Sequence, residues 1–392
     1  MHKFFTENLN VGYDKRIVLG NIEIDLVEGE ILCLMGPNGS GKSTIIKTIT
    51  DHIKKLGGKV FISGKNIEKM SQMDMAKEMS VVLTDRISPN LMTAEELVAT
   101  GRYPHTNYLG KFTDYDLQMI EDSIKIVRGE KLKDKEFTSL SDGEKQRMMI
   151  ARAICQEADL MVLDEPTSYL DIRYKIELLG ILRSLARDWE KIIILSLHEI
   201  DLISKVADKV LMIVNENEYI YGTPEEVINN KSLANAFKLS VGRYNTELGS
   251  IELEKPKGKP KVFVMGNQGM GIDYYRALNK KNLSFFAGII FENDIDFPVA
   301  YALAKDTVIA EDFQEISQEN LEKAKNMIDT VDYFIDCGAK LSGINSKNFE
   351  LLKYAKEKSK TVIRYGKNKE FSDYNFNSFS EFLQLIEETL NI

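Results

Sequence analysis

The chain has 392 residues, of which 43% are hydrophobic and 28% charged, and its formal net charge is −9. This length predicts about two or three domains, each with its own core, and the composition is typical of a globular protein rather than a disordered or fibrous one. Neutralising the phosphates of a nucleic acid requires a basic surface, so the net negative charge argues against a nucleic-acid partner.

Neither a secretory leader nor a membrane-spanning segment is predicted. The N-terminus turns polar after Phe5, and no apolar run approaches the about 20 residues that a membrane helix needs. The three cysteines are widely separated and lack metal-binding spacing, so we expect buried, reduced thiols. The sequence therefore predicts a cytoplasmic protein that reaches a membrane only through a partner.

Short apolar runs alternate with helical periodicity along the first half of the chain. Residues 31–35, 160–163, 192–197 and 210–214 are predicted to be buried strands. Strands that alternate with helices indicate an α/β fold with a parallel sheet. We expect ligands at the carboxyl ends of those strands.

Residues 36–44 match the phosphate-loop pattern G-x-x-x-x-G-K-[ST] and lie between an apolar strand and a helix, as that pattern requires. Glycines let backbone N–H groups converge on phosphate oxygens, and the helix N-terminus adds its positive end. Lys42 supplies a charge for the β and γ phosphates, and Ser43 is expected to ligate Mg²⁺. The predicted ATP-binding residues are Gly36, Pro37, Asn38, Gly39, Ser40, Gly41, Lys42, Ser43 and Thr44.

The strand at 160–163 ends in two acids, Asp164 and Glu165, which should lie at the carboxyl edge of the sheet beside the nucleotide. Asp164 suits the Mg²⁺ shell. Glu165 suits a general base that polarises the attacking water. Taken alone, such a strand end is equally compatible with simple solvation of its acids.

Between these motifs lies Leu140-Ser-Asp-Gly-Glu-Lys-Gln-Arg147, which opens a helical run. The order of phosphate loop, LSDGE, LDEP at 163–166, Ser168-Tyr-Leu-Asp171 and a strand-ending His198 resembles the ATP-binding-cassette (ABC) ATPases, whose signature sequence is LSGGQ. The resemblance covers about residues 3–245. It implies an ATP-hydrolysing P-loop domain with a helical signature subdomain.

The resemblance also implies a head-to-tail homodimer with two ATP molecules between the subunits. Ser141 and Gly143 would then contact the γ-phosphate bound by the second subunit, as a helix N-terminus favours, and Asp171 would lie in the loop that links the two sites. Asp142 and Glu144 replace the family's glycine and glutamine. We expect this to be tolerated because Gly143, the close-approach position, is kept.

The resemblance implies roles for three further residues. His198 matches the switch histidine that contacts the γ-phosphate or the attacking water, although a lone histidine at a strand end is usually structural. Tyr13 matches the aromatic residue that stacks on adenine. Thr84 aligns with a glutamine that touches Mg²⁺ in the family. Because threonine is shorter, coupling or the hydrolysis rate is expected to differ.

Residues 92–105 resemble the ATPases of iron-siderophore, haem and cobalamin importers. In that subgroup this segment docks the membrane permease, so the candidate permease contacts are Arg102, Tyr103, Pro104 and His105. Metal binding by His105 is not expected, because no second ligand has suitable spacing. The implied location is the cytoplasmic face of the membrane, through the permease. An exporter ATPase and a soluble, non-transport ABC protein remain alternatives.

A lysine- and proline-rich segment separates two predicted domains, residues 1–250 and 262–392, with a linker at 251–261. Strands at 262–265, 285–291, 308–310, 333–336 and 361–364, with helices from 317 and 378, predict a smaller Rossmann-like parallel α/β domain. Its glycine turn has the spacing GxxGxG rather than GxGxxG, which is weak evidence for NAD. We expect a regulatory, effector-binding or structural domain, in which any ligand would contact Gly266, Asn267, Gly269, Gly271, Glu292 and Asp294.

Overall fold

A computed structural model describes residues 3–83, 91–106, 110–238, 242–245 and 248–390. Thr84, the predicted metal contact, lies outside these described residues. The chain divides into two compact units, residues 1–238 and 239–392. Each unit is described by itself below.

The first unit contains strands β1–β11 and helices α1–α9 within the described residues. The strands are Phe4–Tyr13, Arg16–Ile22, Asp25–Leu26, Ile31–Met35, Gly57–Ile62, Lys65–Asn66, Met79–Val82, Leu160–Leu163, Ile192–Ser196, Lys209–Asn215 and Glu218–Gly222. The helices are Lys42–Ile49, Gln72–Glu78, Ala94–Ala99, Asp114–Ile126, Asp142–Cys155, Ile172–Asp188, Ile200–Val206, Pro224–Val227 and Asn230–Phe237.

Two sheets form the frame of this unit. One is antiparallel, in the order β2-β1-β5-β6, with β3 also paired to β1. The other has the order β11-β10-β4-β9-β8-β7, and all its pairs are parallel except β10 with β11. The parallel sheet brings the carboxyl ends of β4, β8 and β9 to one edge, where the predicted nucleotide site begins.

Helix α1 packs in the core that joins the two sheets. Its Ile45, Ile46 and Ile49 are buried in one cluster with Leu32 and Leu34 of β4. Alternate residues of a strand face the same side of a sheet, which is why those two leucines share the cluster. Each buried isoleucine contributes about 1.5–3 kcal/mol, so this core fixes the start of α1 directly after the glycine-rich loop.

Helices α3, α4 and α5 pack against one another and form a helical part of the unit. A 3-10 turn at Thr100–His105 follows α3 directly. The capping residues explain the helix starts, because Thr93, Thr113 and Ser141 each accept a hydrogen bond from a backbone N–H in the first turn. This is the helical signature subdomain expected from the sequence.

The second unit contains β12–β19 and α10–α14. The strands are Arg243–Asn245, Ser250–Glu252, Val262–Met265, Phe285–Phe291, Asp306–Ala310, Tyr333–Asp336, Thr361–Tyr365 and Tyr374–Phe376. The helices are Ile272–Lys280, Phe297–Leu303, Gln318–Asp329, Asn348–Glu357 and Phe379–Leu390. Strands β12 and β13 pair as a hairpin and contact α11, so Arg243–Asn245, which the sequence assigned to the ATPase domain, packs within this unit.

Six strands of the second unit form one parallel sheet in the order β16-β15-β14-β17-β18-β19. Numbered from β14, this is the order 3-2-1-4-5-6 of dinucleotide-binding domains. Separate apolar cores cover its two faces: Val262 and Val264 lie in one, Phe263 and Met265 in the other. The predicted Rossmann-like parallel fold is therefore confirmed. The short strand β19 was not predicted.

Candidate nucleotide site

The glycine-rich loop turns sharply between β4 and α1. Gly36, Gly39 and Gly41 have φ values of 149°, 76° and 111°, which side-chain-bearing residues rarely adopt. A Cβ atom on Gly41 would also lie 2.8 Å from Cγ1 of Val18. Backbone conformation therefore favours glycine at all three positions, and space also favours it at Gly41. The turn delivers the N-terminus of α1 to the edge of the sheet.

Lys42 folds back over this loop. Its Nζ donates to the carbonyl oxygens of Gly36 at 2.7 Å and Pro37 at 3.0 Å. Burial lowers the pKa of Lys42, and the nearby charges of Glu165 and Asp164 act in the opposite direction. The two acids therefore lie near enough to Lys42 for their charges to act on it.

The two acids differ in exposure and in partners. Asp164 is 1% exposed and accepts a hydrogen bond at 2.7 Å from Oγ of Ser196, the last residue of β9. The same Oγ accepts the backbone N–H of Glu165 at 2.7 Å. Sequence reasoning missed Ser196, because a single serine at the end of an apolar strand carries no motif.

Glu165 is held by two side chains. His198 Nε2 lies 2.7 Å from Oε1 of Glu165, and Ser168 Oγ donates to Oε2 at 3.2 Å. Burial raises the pKa of Glu165, but the hydrogen bond and charge of His198, together with Ser168 and Lys42, outweigh it and leave the pKa below its usual value. The carboxylate is therefore ionised at neutral pH, which makes Nε2 of His198 the donor.

A cleft of about 640 Å³ continues from the phosphate loop to Tyr13. Tyr13 is 48% exposed and lines the cleft with Pro37, Asn38, Gly39 and Ser40. Its size and its mixture of an aromatic ring with backbone donors suit a nucleoside. Sequence reasoning missed the other lining residues from β2, the β10–β11 turn and α9, which include Arg16, Val18, Glu216 and Phe237.

The residues present fit ATP with a bound cation. Ser40 Oγ is buried and has no hydrogen-bond partner among the described residues, as expected for a group that a phosphate would satisfy. Among the described residues no group of three His, Cys, Asp or Glu side chains could hold a metal ion. A Mg²⁺ ion needs only one or two protein oxygens when it also binds phosphates, and Ser43 and Asp164 can supply these.

Ser141 and Gly143 lie at the start of α5 rather than among the residues that line the cleft. Ser141 forms a capping box with Glu144, whose Oε2 accepts both the Ser141 hydroxyl and its backbone N–H at 2.9 Å. A Cβ on Gly143 would contact Leu170 at 3.4 Å, so the signature turn packs beside the segment that ends in Asp171. Asp171 itself caps α6 through the N–H of Tyr174.

The four predicted permease contacts separate into two kinds. Arg102 is 2% exposed, and its guanidinium binds Asp116 at 2.8 Å, Glu157 at 2.5 Å and the carbonyl oxygen of Cys155 at 2.8 Å. Nε and Nη1 of Arg102 are therefore bonded inside the helical part, which argues against a direct contact of this buried side chain with a permease. Tyr103 and His105 are exposed, and Pro104 is half-buried.

Beside Tyr103 and Pro104 lies a groove of about 760 Å³. Its other walls come from the end of α1, from α2 and β7, and from α5, and they include Met70, Met75 and Met149. Methionine side chains are flexible and adapt to irregular apolar partners. The groove therefore combines these methionines with polar side chains such as Arg152 and Gln156, next to an exposed aromatic ring.

A glycine-rich loop before a helix, a facing pair of acids and an adjoining aromatic cleft define the first unit as a P-loop nucleotide-binding domain. A family model described as ABC transporter matches residues 19–168, and one described as the MJ0874 family matches residues 285–391. The second match coincides with most of the parallel sheet of the second unit.

Known proteins with similar sequences and structures agree with this class. MJ0873 of Methanocaldococcus jannaschii, an uncharacterised ABC transporter ATP-binding protein, is 42% identical over 284 residues, which are 72% of this chain and 98% of that protein. The iron(3+)-hydroxamate import ATP-binding protein FhuC of Bacillus subtilis is 32% identical over 61% of this chain and 89% of its own length. A solved ABC transporter described as metal-chelate type has a TM-score of 0.54 and 26% identity, covering 64% of this chain and 96% of that one.

The chain therefore belongs to the family of ABC transporter ATP-binding proteins. It binds and hydrolyses ATP.

Proposed function

We propose that this chain drives the import of an iron chelate, haem or a cobalamin-like compound. The observation that carries the proposal is the nucleotide site, in which Lys42 faces Asp164 and Glu165 and where His198 holds Glu165. The choice of compound is supported by similarity to siderophore and iron-hydroxamate ATP-binding proteins. An exporter remains the second candidate.

In the proposed mechanism the chain's residues bind the phosphates, orient the reacting groups and take a proton from the attacking water. The loop amides and Lys42 bind the phosphates, and Lys42 exchanges the Gly36 and Pro37 carbonyls for phosphate oxygens. Glu165, ionised and oriented by His198, accepts a proton from the attacking water. Mg²⁺, held by Ser43 and Asp164, would neutralise charge on the β and γ phosphates. Thr84 is proposed to contact the metal or its water.

We propose that two copies of the chain act together. Ser141 and Gly143 lie apart from the residues that line the nucleotide cleft, at a helix N-terminus suited to a phosphate. A second copy in head-to-tail arrangement would bring this turn to the γ-phosphate, with Asp171 between the two sites. Tyr13 is proposed to stack on adenine.

The substitution Glu165→Gln tests this mechanism. It keeps size and shape but removes the base, so ATP should still bind and hold the chain as a dimer while turnover falls by about 10²–10⁴-fold. Glu225→Gln, on the exposed surface of α8, is the matched control and should behave as the unchanged protein. Measurements are phosphate release and light scattering with ATP. Undiminished turnover in Glu165→Gln would refute the catalytic assignment.

The permease is proposed to dock in the groove beside Tyr103 and Pro104, with His105 at its rim. None of the helices in the described residues is long and apolar enough to cross a membrane. We propose that the chain lies at the cytoplasmic face of the membrane through its contact with the permease. Met149→Lys would place a charge among the methionines of the groove and should abolish co-purification with an importer-type permease while ATP binding persists. Tyr301→Ala, which removes an exposed ring in the second unit, is the control.

The transported class is tested with the reconstituted complex. A binding protein loaded with a ferric siderophore, haem or a corrinoid should stimulate ATP hydrolysis for one of the three. Stimulation by none of them, together with ATP-driven efflux of a substrate, would favour the exporter. ATP hydrolysis unaffected by any permease would favour a non-transport role.

A further inference from the structure

Ser196 joins the two acids of the nucleotide site through one hydroxyl group. It is the last residue of β9, a strand whose residues are all buried, and is itself 0% exposed. Its Oγ donates to Oδ1 of Asp164 at 2.7 Å and accepts the N–H of Glu165 at 2.7 Å. A hydroxyl has a single proton and two acceptor positions, so its donor function is committed to Asp164 and one acceptor position binds Glu165.

The backbone of Glu165 needs this support. Its φ value is 49°, in the left-handed region that residues with a side chain disfavour. Two hydrogen bonds hold the backbone of this residue. Its N–H donates to Ser196 Oγ, and its carbonyl oxygen accepts a hydrogen bond from the N–H of Ser168 at 3.1 Å. Unfavourable backbone conformations persist at functional sites when their surroundings fix them.

Ser196 also restrains the carboxylate of Asp164 through a hydrogen bond to one of its oxygen atoms. Because Oδ1 accepts a hydrogen bond from the Ser196 hydroxyl, the rotation of the carboxylate is restricted. Hydrogen bonds to a metal-binding carboxylate orient it in this way, and their loss typically costs about 10–100-fold in metal affinity or activity.

We propose that Ser196 is a positioning residue for hydrolysis, which orients Asp164 for Mg²⁺ and fixes the backbone of Glu165. The proposal rests on the roles proposed above for Asp164 and Glu165. Ser196 does not itself touch the reacting atoms. Its position links the end of β9, which His198 follows two residues later, to the end of β8.

The test compares Ser196→Ala with Ser204→Ala, which removes an exposed hydroxyl on α7. We expect Ser196→Ala to lower kcat about 10–100-fold and to raise the Mg²⁺ concentration for half-maximal activity, with ATP binding in EDTA unchanged. Wild-type kcat and Mg²⁺ dependence would overturn the proposal. So would loss of ATP binding in EDTA, which would indicate a merely structural role. Normal turnover in Glu165→Gln would instead refute the proposed mechanism.

A separate observation concerns the glycine turn of the second unit, residues 266–271, between β14 and α10. Its backbone donors are bound by two acids of the turn before α11. Asp294 Oδ2 accepts the N–H of Gln268 at 2.7 Å, and Asp296 Oδ1 accepts those of Gly271 and Ile272, each at 2.9 Å. Asp296 is 0% exposed.

The crevice beside this turn is also spanned by a side chain. The sheet order reverses between β14 and β17, and ligands of such sheets bind at that point. Gln268 Nε2 donates to the carbonyl oxygen of Lys340 at 3.3 Å, and the N–H of Lys340 donates to Gln268 Oε1 at 3.1 Å. Gln268 therefore ties the loop after β14 to the loop after β17.

We infer that the second unit binds no nucleotide at this crevice, because Asp296 holds the position at the start of α10 that a ligand phosphate takes in dinucleotide-binding domains. The amides of Gln268, Gly271 and Ile272 already have carboxylate acceptors. Asp294, expected from the sequence to contact a ligand, instead binds the turn itself. The full chain should then carry one nucleotide site.

Equilibrium dialysis of the full chain tests this inference with a non-hydrolysable ATP analogue and with NAD⁺. We expect one molecule of the ATP analogue to bind per chain. We expect no NAD⁺ to stay bound once the analogue saturates its site. A second analogue per chain, or one NAD⁺ per chain unaffected by the analogue, would overturn the inference. These outcomes leave the ATPase assignment of the first unit untouched.

Discussion

Replacing Arg102 by methionine should destabilise the helical part of the first unit. The substitution keeps an unbranched apolar stem but leaves Asp116, which is 3% exposed, without its ionic partner, and removes the hydrogen bond from Arg102 to the carbonyl oxygen of Cys155. Breaking a buried ion pair on one side costs about 3–5 kcal/mol. Thr113 still donates to Asp116 through its backbone and hydroxyl, so we expect the lower end, about 3 kcal/mol.

The matched control is Arg128→Met. Arg128 pairs with Glu177 at 2.8 Å, but its side chain is 67% exposed. Exposed pairs contribute about 0–1 kcal/mol, so this variant should differ little from the unchanged chain. The comparison separates the effect of burial from the loss of an arginine.

Hydrogen exchange followed by mass spectrometry reads the effect locally, which matters because a chain with two units need not unfold in one step. A loss of about 3 kcal/mol corresponds to a fall of about 100-fold in the protection of peptides from α4 and α5. Equal protection losses in Arg102→Met and Arg128→Met would refute the burial argument. Normal protection with lost permease binding would restore Arg102 as a direct contact.

Three other predictions concern single groups. Lys42→Ala should weaken ATP binding about 10–100-fold, because a charge-assisted contact is lost; unchanged affinity in a fluorescent-ATP titration would contradict the phosphate role. Tyr13→Ala should weaken ATP binding about 2–10-fold but not tripolyphosphate binding, because only the base loses a stacking partner; equal losses for both would argue against stacking. Burial, with a smaller contribution from Asp294, raises the pKa of Asp296 from 3.8 to about 6. Protonated Asp296 should therefore stabilise the folded second unit by about 3 kcal/mol below pH 4, and this stability should be lost as pH rises through 6. The measurement is the hydrogen-exchange protection of α10 amides, compared with Asp296→Asn. The same pH response in that variant would contradict the assignment.

The parts of the molecule that could be predicted from sequence are those whose signal is local. The glycine loop, the acids after β8 and the apolar strands each occupy a few consecutive residues with a characteristic pattern, and the structure places them as expected. Strand lengths were predicted closely because buried parallel strands are continuous apolar runs. The strand β19, with three residues, is too short to show such a run.

The parts that could not be predicted depend on residues far apart in the sequence. Arg102 looks like an exposed residue in a proline-containing turn, and only the packing of α4 and α5 brings Asp116 and Glu157 to it. Ser196 acquires its partners from the residues that follow β8, of which Asp164 is 32 residues away. The sequence of the glycine turn in the second unit resembles a ligand-binding loop. The acceptors of its N–H groups are instead Asp294 and Asp296, on the next connection.

The internal acceptors of that turn have a consequence for how the protein persists in a cell. A domain whose loops are completed by a bound metabolite gains stability with the logarithm of that metabolite's concentration. In the second unit the groups that hold the loops are covalently part of the chain, so their effective concentration is fixed. Its melting temperature should therefore not depend on the concentration of nucleotide.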